Sequence, residues 1–254
     1  MLYKNLTNII QNLGKKKFRI KYNLFKAEGE KIVNELLLSN LTTDTIIAKN
    51  EWIKKNSDIL NKDNIKIIEA TNEELKSISN FQSYPDVIAL AKIPSYKIAN
   101  DEIKSELSIL LNGVQDPGNL GTIIRLADWF GIKNIFCDTD CAGIFNPKCV
   151  QASMGAVLRV KIHYVNLINL IKEYKNSDFH CYGAFLEGKN IYESNLSKKG
   201  FIIMGNEGKG ISNELSEFID KKITIPSFAN AKLSTESLNV SIATGIILSE
   251  FKRR

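Results

Sequence analysis

Ser108-Ile109-Leu110-Leu111-Asn112-Gly113-Val114-Gln115-Asp116-Pro117-Gly118-Asn119-Leu120-Gly121-Thr122-Ile123-Ile124-Arg125 decides how this chain folds. Ser108 to Val114 is a nearly continuous apolar run, which predicts a strand buried on both faces, as in a parallel sheet. Asp116-Pro117-Gly118 then leads into a helix over Gly118–Trp129. Proline suits a first helical turn, where its missing N–H would have had no partner. A buried strand, a glycine-bearing loop and a helix make the repeating unit of an open α/β sheet, whose ligands bind outside the carboxyl ends of the strands. Glycines there let backbone approach a ligand and expose N–H groups. Arg125 follows Asn119 by six residues, just under two helical turns, among Ile123, Ile124, Leu126 and Ala127. Alone, the segment also fits a plain turn and a helix with one snorkelling arginine.

The same alternation continues in both directions. Downstream, strands are expected at Asn134–Cys137, Ile162–Val165, His180–Leu186, Phe201–Met204 and Ile223–Ile225. Helices are expected at Pro147–Val157, Leu167–Tyr174 and Ser237–Phe251. Upstream, helices are expected at Glu28–Leu38 and Glu51–Leu60, and strands at Thr45–Ala48, Ile65–Ile68 and Val87–Ala91. A further helix starts at Thr71, where Glu74 completes a capping box. Pro94–Glu102 is polar and reads as a linker. Repeated strand–helix alternation predicts an α/β fold with a parallel sheet. The 254 residues divide into residues 1–100 and 101–254.

Two more loops follow strands. Met204-Gly205-Asn206-Glu207-Gly208-Lys209-Gly210-Ile211-Ser212 has three glycines in six residues. It matches neither GxxxxGK[ST] nor GxGxxG, so a nucleotide- or nicotinamide-dependent enzyme is disfavoured. A sharp turn with a surface Lys–Glu pair explains it equally. Ile225-Pro226 opens the third loop, which reaches Ser237-Leu238-Asn239-Val240-Ser241. Taken singly, Ser237, Asn239 and Ser241 read as helix caps.

Net charge is +6, with a hydrophobic fraction of 44%. The excess has a place. Lys4, Lys15, Lys16, Lys17, Arg19, Lys21 and Lys26 precede the first acid, Glu28, so residues 1–27 carry +7 and the rest of the chain −1. That is the footprint of a protein that meets nucleic-acid phosphates, or else a solvated surface helix; charge does not choose between them. Cys137, Cys141, Cys149 and Cys181 form no CxxC pair, and neither His163 nor His180 stands at metal-ligand spacing. Buried reduced thiols and no metal are expected. No run approaches a membrane span, and no secretory leader precedes the first helix, which points to the cytoplasm.

Together the loops resemble one family. DPGNLGTIIR, MGNEGKGIS and IP…ESLNVSIATGIILSEF are similar, in order, to the three motifs of the SpoU (TrmH-type) RNA ribose methyltransferases of the SPOUT superfamily. Asn146-Pro147-Lys148 and Ala152-Ser153-Met154-Gly155-Ala156 add to the likeness, and Lys21–Glu30 resembles the start of the small ribosomal-protein-like RNA-binding domain of many members. The resemblance implies a trefoil-knotted catalytic domain, a smaller N-terminal α/β domain that binds structured RNA, and a homodimer. It implies methyl transfer from S-adenosyl-L-methionine to a ribose 2′-OH of rRNA or tRNA. Asn119, Arg125, Glu207, Ser237 and Asn239 would be the catalytic set, with Ala184, Gly205, Ile225 and Leu238 against the cofactor. One departure is the long link Ser227–Glu236, where members have a shorter one with a glycine.

The chemistry narrows the roles. A sulfonium needs no metal to activate its methyl group, only a positioned acceptor oxygen and a route for its proton. The resemblance implies Arg125 as a base toward the 2′-OH, but a guanidinium stays protonated, so its role is open between base and anchor for RNA phosphate. Glu207 and Asn119 would orient Arg125 and its loop, while Ser237 and Asn239 would bond neighbouring loops or the acceptor nucleotide. The competing reading is a catalytically silent RNA-binding or ribosome-assembly factor on the same fold.

Overall fold

A computed structural model of the chain describes residues 3–60, 65–176, 178–229 and 236–253. The chain packs as two compact units, one of residues 1–95 with 143–159, the other of 96–142 with 160–254.

The first unit holds four strands: β1 (Leu24–Glu28), β2 (Thr43–Ala48), β3 (Lys66–Glu69) and β4 (Val87–Lys92), in the order β1-β4-β2-β3. β4 runs antiparallel to β1 and β2, and β3 parallel to β2. Ile10, Leu13, Ile47, Leu75, Ile78, Ile88 and Leu90 form a core on one side. The helix after Thr71 carries its expected capping box: Thr71 Oγ1 accepts from Glu74 N, and Thr71 N donates to Glu74. β1 escapes a reading by hydropathy because Lys26 interrupts its apolar run. Lys26 is buried nonetheless, held by Glu28 at 2.8 Å. Burial pulls its pKa down, and Glu28 opposes that shift.

Two helices, Lys4–Asn12 and Lys16–Tyr22, precede β1. The expected Glu51–Leu60 helix is two short ones, Asn50–Lys55 and Ser57–Leu60. Between them Asn56 leaves helical backbone (φ −111°, ψ 18°), its N–H shared by the Trp52 and Ile53 carbonyls while its side-chain amide adds a 2.9 Å bond to the Trp52 carbonyl. The segment 143–159 completes this unit. Its Phe145 stacks on Phe25 with ring centres 4.4 Å apart. Its helix ends at Ala152, not Val157, because Met154 (φ 49°) and Gly155 (φ 88°) turn left-handed before a short 3-10 turn, Ala156–Leu158.

The second unit is a six-stranded, wholly parallel sheet: β5 (Leu107–Leu111), β6 (Asn134–Cys137), β7 (Lys161–Tyr164), β8 (His180–Asn190), β9 (Gly200–Met204) and β10 (Lys221–Thr224), in the order β10-β8-β9-β5-β6-β7. β5, β6 and β9 are buried along their whole length, as the apolar runs require. The first of these strands stops at Leu111 instead of Val114, which frees Asn112–Asp116 as a loop. The supposed linker 94–102 already turns helical at Asn100–Ser105. β8 runs past Leu186, and its pairing with β10 jumps from Lys222↔Gly183 to Ile223↔Lys189. The last helix begins at Val240 rather than Ser237. It packs on the Pro117–Trp129 helix, where a Cβ at Gly245 would stand 3.4 Å from Leu126.

Candidate active site

Parallel strands bring their carboxyl ends to one edge. β5 and β9 are neighbours there, with Leu111 opposite Met204, so the loops that follow them start side by side. Asn112 N donates to the Met204 carbonyl at 2.9 Å. Side chains then sew the two loops together. Asn206 Nδ2 donates to the Gly113 carbonyl at 2.6 Å, while its Oδ1 accepts from Gly208 and Lys209 N–H, each at 2.9 Å. Asn112 Oδ1 accepts from Ser212 N at 2.7 Å, and Asn112 Nδ2 donates to Asp138 at 2.7 Å. Asp138, just past β6, also accepts from Gly113 N. Gly205 lies buried at the turn, where a Cβ would collide with the backbone of Gly210. Asn112, Asp138, Asn206 and Ser212 were not foreseen as site residues. Asn112 and Asp138 directly follow apolar strands, and Asn206 and Ser212 lie in the glycine-rich loop after one, which was their signal.

Glu207 and Asn119 carry the third connection. Glu207 accepts from Gln115 N at 3.3 Å, Asp116 N at 3.2 Å and Asn119 Nδ2 at 3.1 Å. Burial alone would raise its pKa, but the bonds from Asn119 and these N–H groups outweigh burial and hold the carboxyl below its ordinary range. Asn119 in turn accepts from Asn239 Nδ2 at 2.9 Å. Asn239 Oδ1 accepts from Ser241 N at 2.9 Å and from Ser241 Oγ at 2.7 Å, capping the last helix. One chain of amides and a carboxylate therefore ties together all three loops.

The remaining expected residues lie outside that chain. Arg125 is exposed on the Pro117–Trp129 helix, and among the described residues it has no hydrogen-bond partner. Ser237 and Leu238 are exposed just before Asn239. Ile225 is half-buried beyond β10, and Ala184 half-buried on β8. Thr224 Oγ1 donates to the Leu186 carbonyl at 2.9 Å, which draws the β8 excursion to the end of β10. Of the long link, residues 230–235 lie outside the described residues. A groove of about 350 Å³ lined by His180, Tyr182, Ser197, Lys199 and Lys221 opens at the amino ends of β8, β9 and β10, the edge opposite the loops.

Comparison with known proteins decides the assignment. Residues 106–249 match the model of the SpoU rRNA Methylase family. The chain belongs to the SpoU rRNA methylase family. Residues 7–89 of this SpoU-family protein match an MRM3-like substrate binding domain. It is 30% identical, over 94% of its length and 92% of the relative's, to the 23S rRNA (guanosine(2553)-2'-O)-methyltransferase RlmP of Bacillus subtilis. Among solved structures it resembles a TrmH-family protein from Porphyromonas gingivalis (TM-score 0.86, 34% identity, 100% and 99% of the two chains). It also resembles an AdoMet-bound rRNA methyltransferase from Sinorhizobium meliloti (TM-score 0.87, 27% identity, 100% and 96%).

Proposed function

We infer that this SpoU-family protein is an S-adenosyl-L-methionine-dependent methyltransferase that modifies a ribose 2′-OH of ribosomal RNA. The observation that carries the reading is the Glu207–Asn119–Asn239 connection, which fixes the three family loops as one rigid edge. Relatives that act on 23S rRNA support ribosomal over transfer RNA.

The loop edge suits the cofactor. An adenosine with a sulfonium needs apolar surface and backbone donors. Gly205, Ile225, Leu238 and Ala184 offer backbone and apolar faces, and Leu186 and Phe228 expose further apolar side chains nearby in sequence. When bound, S-adenosyl-L-methionine supplies an electrophilic methyl group on sulfur. The chain's own work is to hold the acceptor. Arg125 stays charged and can clamp an RNA phosphate through two N–H groups. That fixes the neighbouring ribose so that its 2′-oxygen, once its proton passes to phosphate or water, forms the new O–C bond as the S–C bond breaks. Orientation of this kind is worth several kcal/mol in general. Glu207 and Asn119 keep the start of Arg125's helix in place, and Asn239, with Ser237 two residues before it, bonds to Asn119 at the same edge.

The proposal extends to the whole molecule. Residues 1–100 act in RNA capture, and the chain works as a homodimer with the trefoil threading of its family. Trp129 is 83% exposed and Ile242 55% exposed, on two helices that pack side by side. Exposed apolar area of that kind is what a second copy would cover. The four cysteines are buried and outside any disulfide, which supports a cytoplasmic setting. No helix among the described residues is long and apolar enough to cross a membrane.

The test is methyl transfer from radiolabelled S-adenosyl-L-methionine to ribosomal RNA, with digestion to nucleosides. Label in a 2′-O-methylated nucleoside is expected. RNA binding without any transfer would point to the silent assembly factor.

A further inference from the structure

Met154 occupies a backbone conformation that suits it poorly. It follows the C-cap Ser153 of the Pro147–Ala152 helix and has φ of 49°. That position favours glycine or asparagine, because a Cβ crowds the carbonyl in left-handed backbone. The chain has a glycine at the next residue, Gly155, also left-handed at φ 88°. The methionine is therefore retained at a cost.

The turn around it is firmly built. Ser153 is fully buried and its Oγ donates to the Val150 carbonyl at 2.7 Å. A Cβ on Gly155 would overlap the carboxylate of Glu35, which Arg159 holds at 2.7 Å. Packing does not reward the strain, because Met154 is 45% exposed. The fold needs this left-handed turn but not a methionine in it, and a half-exposed side chain held in strained backbone is a mark of function.

The surroundings indicate what the side chain meets. Lys148 and Gln151 are exposed at three-residue steps leading to Met154. At the other end of the segment, Gly143 presses on the Arg19 guanidinium, since a Cβ there would stand 2.8 Å from Nη2. Arg19 belongs to the helix that carries Lys16, Lys17 and Lys21. The segment thus belongs to the same unit as the acid-free lysine cluster. Lys148 on the same face attracts phosphate, but the exposed methionine side chain six residues on has a different partner. Methionine sulfur packs well on aromatic rings, and unpaired bases of folded RNA present such rings.

We propose that Met154 is an RNA-contacting residue whose side chain packs on an unpaired base of the substrate. The proposal rests on the rRNA methyltransferase reading above. The experiment uses the full chain with Met154→Gly, Met154→Ala and Met154→Leu. Three quantities are read: melting temperature, equilibrium binding to ribosomal RNA by fluorescence anisotropy, and the KM and kcat of methyl transfer. Met154→Gly is expected to melt higher, because the left-handed cost is gone. Its RNA affinity should fall about three- to tenfold and KM for RNA rise to match, the upper part of what one thioether–ring contact contributes. Affinity for S-adenosyl-L-methionine should not change. Met154→Ala should lose the same RNA affinity, and Met154→Leu should keep most of it. Wild-type RNA affinity in Met154→Gly, a lower melting temperature for it, or Met154→Leu behaving like Met154→Gly would each overturn the proposal. Should wild-type protein bind RNA but transfer no methyl group, the enzyme reading falls while the anisotropy series still decides the role of Met154.

Discussion

Arg125 and Glu207 occupy the same loop edge but do opposite work. Arg125 has no partner within the described residues, so its removal should leave the fold intact. Arg125→Ala is expected to lower methyl transfer by about a hundredfold or more with an unchanged melting curve, since misplaced substrate alone costs that much. Arg125→Lys should recover only part of the rate, because an ammonium cannot grip two phosphate oxygens in one plane. Glu207 is the reverse case, fully engaged with Gln115, Asp116 and Asn119. Glu207→Gln places an NH₂ against an N–H donor and should slow transfer about tenfold. The pH sign follows from the depressed carboxyl. Its stabilisation is fully present above the ordinary value of about 4.3 and is lost as pH falls through the lower native value. The melting-temperature gap between wild type and Glu207→Gln should therefore close as pH drops below about 4.3. A gap that stays constant through that range would show that the ionised carboxylate does not hold the loop.

At the scale of elements, the sequence was most legible where periodicity was cleanest. The strand Asn134–Cys137 and the helix Leu167–Tyr174 begin and end where their apolar patterns do. The capping box at Thr71 is equally direct, and Thr71→Ala should cost about 1 kcal/mol in urea unfolding. Failures have local causes. β1 was hidden because its central lysine finds a buried partner, which hydropathy cannot foresee. The helix after Pro147 stops five residues early because of the backbone turn at Met154, not because of any breaker such as proline. The clamp of Asn112, Asp138, Asn206 and Ser212 was invisible because it joins residues up to 100 positions apart. The proposed catalytic set was named through the family likeness. Its geometry, with Asn119 joining Glu207 to Asn239, required the sheet order that places β5 beside β9.

At the scale of the molecule, the basic first segment separates into two kinds of charge. Lys15, Lys16, Lys17 and Lys21 are exposed. Arg19 and Lys26 are buried; Arg19 Nη1 donates to the carbonyls of Leu13 and Gly14, each at 2.8 Å. The residue-27 excess of +7 therefore overstates the surface available to phosphates, and Arg19 is withdrawn from that set. Replacing Lys15, Lys16 and Lys17 with alanine should weaken RNA binding and flatten its salt dependence by roughly 0.7–0.9 per lost phosphate contact. Arg19→Ala should instead lower the melting temperature, by stranding the buried Leu13 carbonyl and the half-buried Gly14 carbonyl. If the triple lysine variant keeps the wild-type salt slope, the segment is only a solvated surface. The oligomeric proposal has its own reading: light scattering should give twice 28.6 kDa, and Trp129→Glu should shift it toward the monomer.

The central claim is that three loops on one sheet edge methylate a ribose hydroxyl of ribosomal RNA. A methylated 2′-oxygen blocks alkaline cleavage of the adjoining phosphodiester, so ribose methylation can be mapped across whole ribosomal RNA by resistance to base. The measurement compares cells that lack this protein, cells complemented with wild type, and cells complemented with Arg125→Ala. A ribosomal RNA position should lose its protection without the protein, regain it with wild type, and stay unprotected with Arg125→Ala. An unchanged protection map in all three, or full protection restored by Arg125→Ala, would contradict the account.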